Sequence, residues 1–225
     1  MKQLLFMRLY IRLSKNRSVI PFNYQHLLTG CVHKWIGDNN EVHGNRSLYC
    51  FSWLQNTRTN SNGLNLSRDS YFFISAYDVE LIKRITKGVL ADSNAFCGTK
   101  VLDLQVVDAP NFTNEERFIL NSPVLLRKNE GNQTKHVTYK DPEFDELLTI
   151  NAKSKLRRAN KVDEGLILEW DKTYPSPKTK LVTYKGIGNK ATLAPIIVKG
   201  TPEQIAFLWT VGLGESTGIG FGSIK

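Results

Sequence analysis

Leu5, Met7, Leu9, Ile11 and Leu13 alternate with Phe6, Arg8, Tyr10 and Arg12, and after them the apolar period changes. A period of two marks a strand with one buried face. Leu27, Leu28, Cys31, Val32, Trp35 and Ile36 then repeat at helical spacing. Asn23 is the expected N-cap of that helix, after Pro21, and Gly37 its stop. This switch constrains the fold more than any other feature. A half-buried strand needs a cover, and the next segment supplies an amphipathic helix to cover it.

The alternation continues. SLYCFSWL, from Ser47, reads as a strand, and NTRTNSNGLNLSRDS as a polar, turn-rich connection. YFFISAY is a further strand. DVELIKRITKGVL is a helix capped by Asp78, with Val79, Ile82, Ile85 and Val89 on one side, and KVLDLQVVD closes the set. The order is strand, helix, strand, strand, helix, strand. A second set follows Pro110. RFILNSPVLLRK reads as a strand, NEGNQTKH as a hairpin-like loop, and DPEFDELLTINAKSKL as a helix capped by Asp141 with Pro142 in its first position. GLILEW, KLVTYKG and ATLAPIIVKG read as strands, with Pro195 marking an edge or a bulge in the last. In TPEQIAFLWTVG, Thr201 caps, Pro202 starts the helix and Gln204 completes a capping box. GFGSIK closes the chain as a strand. The fold class is α+β, in two domains spanning 1–110 and 111–225.

Between the last helix and the last strand lies GLGESTGIGFG, with five of the chain's 16 glycines. A dinucleotide fingerprint needs strand, glycines, then helix, and a phosphate loop needs G-K-[ST]. Neither is met. The net charge of +9 favours a polyanionic partner, nucleic acid first and an acidic membrane surface second. No run of 18 apolar residues exists to span a membrane. The N-terminus carries Arg8 and Arg12 in its apolar run and lacks a small-residue cleavage site, so a signal peptide is not expected. Cys31, Cys50 and Cys97 form no C-x-x-C pair, which fits a reducing compartment such as a bacterial or archaeal cytoplasm. No histidine or cysteine cluster has metal-ligand spacing, and no cofactor is expected.

Gly212-Leu213-Gly214, five residues, then Gly220-Phe221-Gly222 resembles the C-terminal signature of the repeat-associated RNA-binding (RAMP) superfamily of CRISPR systems. MRLYIRL followed by IPFNYQHLLTGCVHKWI resembles the opening of that superfamily's repeat-cutting endoribonucleases. VHGNRSLYCFSWL, NSPVLLRK and the closing TPEQIAFLWTVGLGESTGIGFGSIK agree with the same group. The resemblance implies two tandem ferredoxin-like (RRM-like) βαββαβ domains. It also implies a metal-independent endoribonuclease that cuts CRISPR precursor RNA once per repeat to release guide RNAs. The alternative is a noncatalytic RNA-binding subunit of a CRISPR interference complex. Monomer and homodimer both remain open.

Metal-free cleavage of this kind needs a base for the 2′-hydroxyl, an acid for the leaving 5′-oxygen and a donor to the phosphorane. Histidine suits both proton roles near neutral pH. The resemblance matches His43, in the loop after the first helix, and His33, near that helix's end, to catalytic positions. It has a lysine after the loop histidine, where this chain offers Arg46 as the nearest cation. His26, two turns before His33, reads as a helix-surface residue. The glycines at 212, 214, 218, 220 and 222 are expected beside the RNA, letting backbone amides approach phosphates. Lys128, and Lys153, Lys155, Arg157 and Arg158 in the basic run of the second domain, are the expected backbone contacts.

Overall fold

The computed structural model describes residues 6–37, 47–131 and 133–225. Leu5 lies outside them. The first set of elements is β1 (Met7–Leu13), α1 (Gln25–Ile36), β2 (Tyr49–Phe51), β3 (Gln55–Asn60), β4 (Gly63–Ala76), α2 (Val79–Ala91) and β5 (Val101–Asp108). The strands form an antiparallel sheet in the order β2-β4-β1-β5, with β3 paired to β4. Register sets Leu9 opposite Ile74 and Ile11 opposite Phe72. These four side chains face the helices and share a core with Leu28, Val32 and Trp35 of α1 and Ile82, Ile85 and Val89 of α2. Trp35 stacks on Phe72, the rings nearly parallel, at 6.3 Å between centroids. Each large apolar side chain buried here contributes roughly 1.5–3 kcal/mol, which is what seats both helices on this face. Asp78 caps α2 as expected, accepting from the Glu80 amide at 3.0 Å.

The second set is β6 (Glu115–Phe118), β7 (Leu126–Glu130), β8 (Gln133–Val137), α3 (Phe144–Arg158), β9 (Ile167–Trp170), β10 (Lys178–Tyr184), β11 (Ile187–Leu193), β12 (Ile196–Lys199) and α4 (Pro202–Val211), then a 3-10 turn at Thr217–Ile219. β6, β12 and β9 form one sheet, while β7-β8 and β10-β11 are hairpins. Ile224 bridges to Leu120, and Ile119 and Lys225 exchange two backbone hydrogen bonds, so the closing residues lie beside β6. With β3 and the two hairpins set aside, both sets share one order. The second strand pairs with the third, the third with the first, and the first with the last. Phe144, Leu148 and Leu156 of α3 and Ile205, Phe207 and Leu208 of α4 centre a second core. The α+β class is as expected.

Several segments differ from the expectation. NTRTNSNGLNLSRDS is no loop but β3 and the start of β4, a hairpin turning at Asn60–Gly63. Mostly exposed residues leave β3 without an apolar stripe, so no period shows. RFILNSPVLLRK breaks into β6 and β7, and Pro195 separates β11 from β12, which lie in different sheets. Proline has no N–H to continue a ladder, and the chain changes sheets there. Asn23 is not the cap of α1, which starts from Tyr24 with no side-chain cap. Asp141 accepts from Thr138 instead of capping α3. The capping box at Thr201 and Gln204 is present with both bonds.

Candidate nucleic-acid interface

On α1, apolar positions face the core, and His26, Gly30 and His33 lie along the outer side at helical spacing. His33 is half-buried and its carbonyl accepts from the Gly37 amide at 3.1 Å, closing the helix. Gly37 has a φ of 86°, a turn that suits glycine. His26 is exposed, with its Nδ1 2.9 Å from the Asn23 carbonyl. Gly30 is exposed, and a Cβ placed on it would meet nothing within 4 Å. His43 and Arg46 lie outside the described residues. The chain is described again from Ser47, whose carbonyl accepts from the Thr217 hydroxyl at 3.5 Å.

The glycine loop is not the open phosphate cradle the sequence suggests. All five glycines are buried, and what they approach is the protein itself. A Cβ on Gly222 would stand 1.7 Å from the Leu213 carbonyl oxygen, and one on Gly218 2.3 Å from Ser47 Oγ. This close approach lets three consecutive carbonyls reach the first half of the chain. Gly218 accepts from Tyr49 Oη at 3.1 Å, Ile219 from Gln25 Nε2 at 2.5 Å, and Gly220 from Trp53 Nε1 at 2.9 Å. The donors come from β2, the first residue of α1 and the segment after β2. The loop is therefore a latch. It fixes the N-terminal end of α1 and the point where the chain returns at Ser47.

A second set of carbonyls, at the C-terminal end of α4, is satisfied in the same seam. The last carbonyls of a helix have no intrahelical partner and carry its negative dipole end. Arg8 donates to Trp209 at 2.7 Å and to Ile224 at 2.6 Å, with its guanidinium 3.5 Å from the Trp209 ring centroid. Ser75 Oγ donates to Thr210 at 2.8 Å. Lys155 Nζ donates to Gly212 at 2.8 Å. Arg8 is 1% exposed and Lys155 2%. Burial lowers the Arg8 pKa to about 10.

Lys155 therefore serves the seam, and its place among the RNA contacts is corrected. The basic run of α3 divides: Lys155 turns inward, Lys153 is half-buried, and Arg157 and Arg158 are exposed, with Arg157 paired to Asp163 at 2.7 Å. Lys128 projects from β7, exposed and 3.7 Å from Glu143 Oε1. His33 and the glycine loop are brought to the same helix; Lys128 belongs to the hairpin of the second half. Sequence reasoning passed over Gln25, Tyr49, Trp53 and Arg8. Only Arg8 carried a signal, a charge inside an apolar strand. The others bond to partners 167 or more positions away. Among the described residues, no three His, Cys, Asp or Glu side chains group closely enough to share a metal ion. No described helix is long and apolar enough to cross a membrane.

Comparison with known proteins adds a family. A model described as CRISPR associated protein Cas6, C-terminal, matches residues 107–225. The CRISPR-associated endoribonuclease Cas6 1 of Methanocaldococcus jannaschii is 24% identical over 236 residues, covering 97% of this chain and 92% of that protein. The solved product of a Cas6-related gene from Pyrococcus furiosus superposes with a TM-score of 0.84 at 23% identity, over 98% of both chains. Another structure, described as an RAMP protein binding different RNA substrates, gives 0.82 at 20% identity, over 97% of this chain and 98% of that one. At these identities the two structures speak for the fold.

Proposed function

Since the match over residues 107–225 takes in more than half of the sequence, the chain belongs to the Cas6 family, and from that premise we propose that it cuts CRISPR precursor RNA within its repeats. The observation that carries this reading is the frame around residues 38–46. That segment leaves α1 at Gly37, four positions after His33, and returns at Ser47 against Gly218, and the latch that holds Ser47 also holds the opposite, N-terminal end of α1 through Gln25. His43 belongs to the segment so framed, and His33 to the helix that opens it.

The chemistry follows from these side chains. One histidine takes the proton of the 2′-hydroxyl, and the oxygen attacks the adjacent phosphorus. The other gives a proton to the departing 5′-oxygen, and the products carry a 2′,3′-cyclic phosphate and a 5′-hydroxyl. Arg46 braces the phosphorane with its guanidinium. No divalent ion takes part. Two ferredoxin-like domains, 1–110 and 111–225, carry the RNA between them, with Lys128, Lys153, Arg157 and Arg158 on the phosphates. The glycine loop then acts on RNA through what it fixes. The protein works in the cytoplasm, with CRISPR repeat RNA as its partner.

The test is single-turnover cleavage of repeat RNA with chelator present. Wild-type protein should cut, and should leave uncut an RNA with hydrogen in place of the 2′-hydroxyl at the cleavage site. His33→Ala and His43→Ala should each slow cutting by about 10²–10⁴ while binding as wild type. Tight binding with no cutting by the wild-type protein would instead make the chain a noncatalytic RNA-binding subunit.

A further inference from the structure

A cleft of about 570 Å³ opens where the start of α1, the β3-β4 hairpin and the β10-β11 hairpin meet. One wall is Trp53. Its ring nitrogen is fixed to the Gly220 carbonyl, and Tyr24 stands edge-on to it at 6.5 Å between centroids. The indole is thus held in place by the latch and by α1. Phe22, at the mouth, is 58% exposed, and Leu181, on β10, 70% exposed. No described residue covers these two apolar side chains, which stand open at one cleft.

The electrostatics of the cleft are one-sided. Lys180 Nζ lies 5.9 Å from the Trp53 ring centroid and makes no ion pair with any described residue. From Lys172 to Pro202 the chain holds six lysines and no aspartate or glutamate. An aromatic wall beside an unneutralised cation fits a ligand with a flat apolar body and a negative charge. A nucleotide has both.

Resting on the reading that the chain handles CRISPR repeat RNA, we propose that this cleft holds one unpaired nucleotide of that RNA, its base stacked on Trp53 and its phosphate at Lys180. Lys180 now occupies the space above the ring. Base stacking on an aromatic side chain outweighs an exposed cation–π contact, so the lysine moves aside to the phosphate when the base enters. The cleft borders Gln25, and His33 lies eight residues further along α1, roughly 12 Å by helical rise. That is about three or four stacked nucleotides, at 3.4 Å each. The cleft thus reads a base near, but not at, the bond that is cut.

Equilibrium binding of full-length protein to repeat RNA, with single abasic nucleotides placed in turn along the repeat, tests this. Wild-type protein should lose about tenfold or more in affinity at one position, within a few nucleotides of the cleavage site. Trp53→Leu should show a similar loss on intact RNA and no further loss from that abasic site. Lys180→Ala lies outside the latch and should fold normally. It should weaken binding and reduce the salt slope by about one. A flat abasic scan, or the same scan in Trp53→Leu as in wild type, overturns the cleft while leaving RNA cutting intact. If Trp53→Leu fails to fold, an unchanged salt slope in Lys180→Ala overturns it on its own. Absence of any repeat-RNA binding by the wild-type protein brings down both readings, and cutting measured in parallel tells the two failures apart.

Discussion

Gly30 and Gly88 are both helical glycines, and they are there for opposite reasons. A Cβ on Gly88 of α2 would stand 2.3 Å from the Trp35 carbonyl oxygen of α1, so the glycine is what lets the two helices touch. Gly88→Ala should lower stability by about 1–3 kcal/mol, the usual cost of overpacking, read as a reduced urea midpoint. Around Gly30 there is open space. Glycine there costs the helix about 0.5–1 kcal/mol against alanine, and no packing among the described residues offsets it. Gly30→Ala should therefore raise the melting temperature. If RNA lies across α1 between His26 and His33, the same substitution should slow cleavage by about tenfold to a hundredfold through misplacement of the phosphate. A variant that is stabilised and cuts at the wild-type rate would show that this stretch of helix surface stays clear of the substrate.

At the scale of elements, the end of α4 shows how buried cations are made tolerable. Arg8 serves two carbonyls, and Arg8→Met would leave both buried without a donor, at ~1–3 kcal/mol each. Removing a desolvated charge offsets part of this, so the net loss should be about 2–4 kcal/mol in urea unfolding. An Arg8→Met protein of wild-type stability would mean that those carbonyls find other partners. Helix starts and stops such as Thr201, Gln204 and Gly37 were legible because cap and partner lie within four residues of one another. β3 was not, since Thr57 and Arg58 bury no stripe. Lys155 was not, because with its neighbours Lys153, Arg157 and Arg158 it reads as one basic run facing RNA. The order of elements could be read from periodicity. The use of the glycines could not, because Gly218 and Gly220 answer to Tyr49 and Trp53, far away in the chain.

For the whole molecule, the two cores meet through hydrogen bonds that can be titrated. Burial pushes the Tyr49 hydroxyl from its usual value near 10 up to about 12, and it donates to Gly218 across the seam. In the unfolded chain the group ionises first, near pH 10. The contribution of this tyrosine is therefore complete below pH 10 and is lost between about 10 and 12. Urea midpoints should fall over that window, and fall less in Tyr49→Phe; equal slopes for the two proteins would put the alkaline loss elsewhere.

The separation between Arg8 and its acceptors also has a meaning in time. Trp209 and Ile224 lie 201 and 216 positions further along the chain. At synthesis rates of about 5–20 residues per second, Arg8 waits roughly 10–40 seconds for them. During that wait the first sheet can gather its helices on one side. Its other side still presents Phe73, Cys50 and a cation to water, open to any passing chain. The nascent protein is thus exposed to misassociation on the surface that later closes against α4 and Ile224, and a ribosome paused before α4 would hold it in that state.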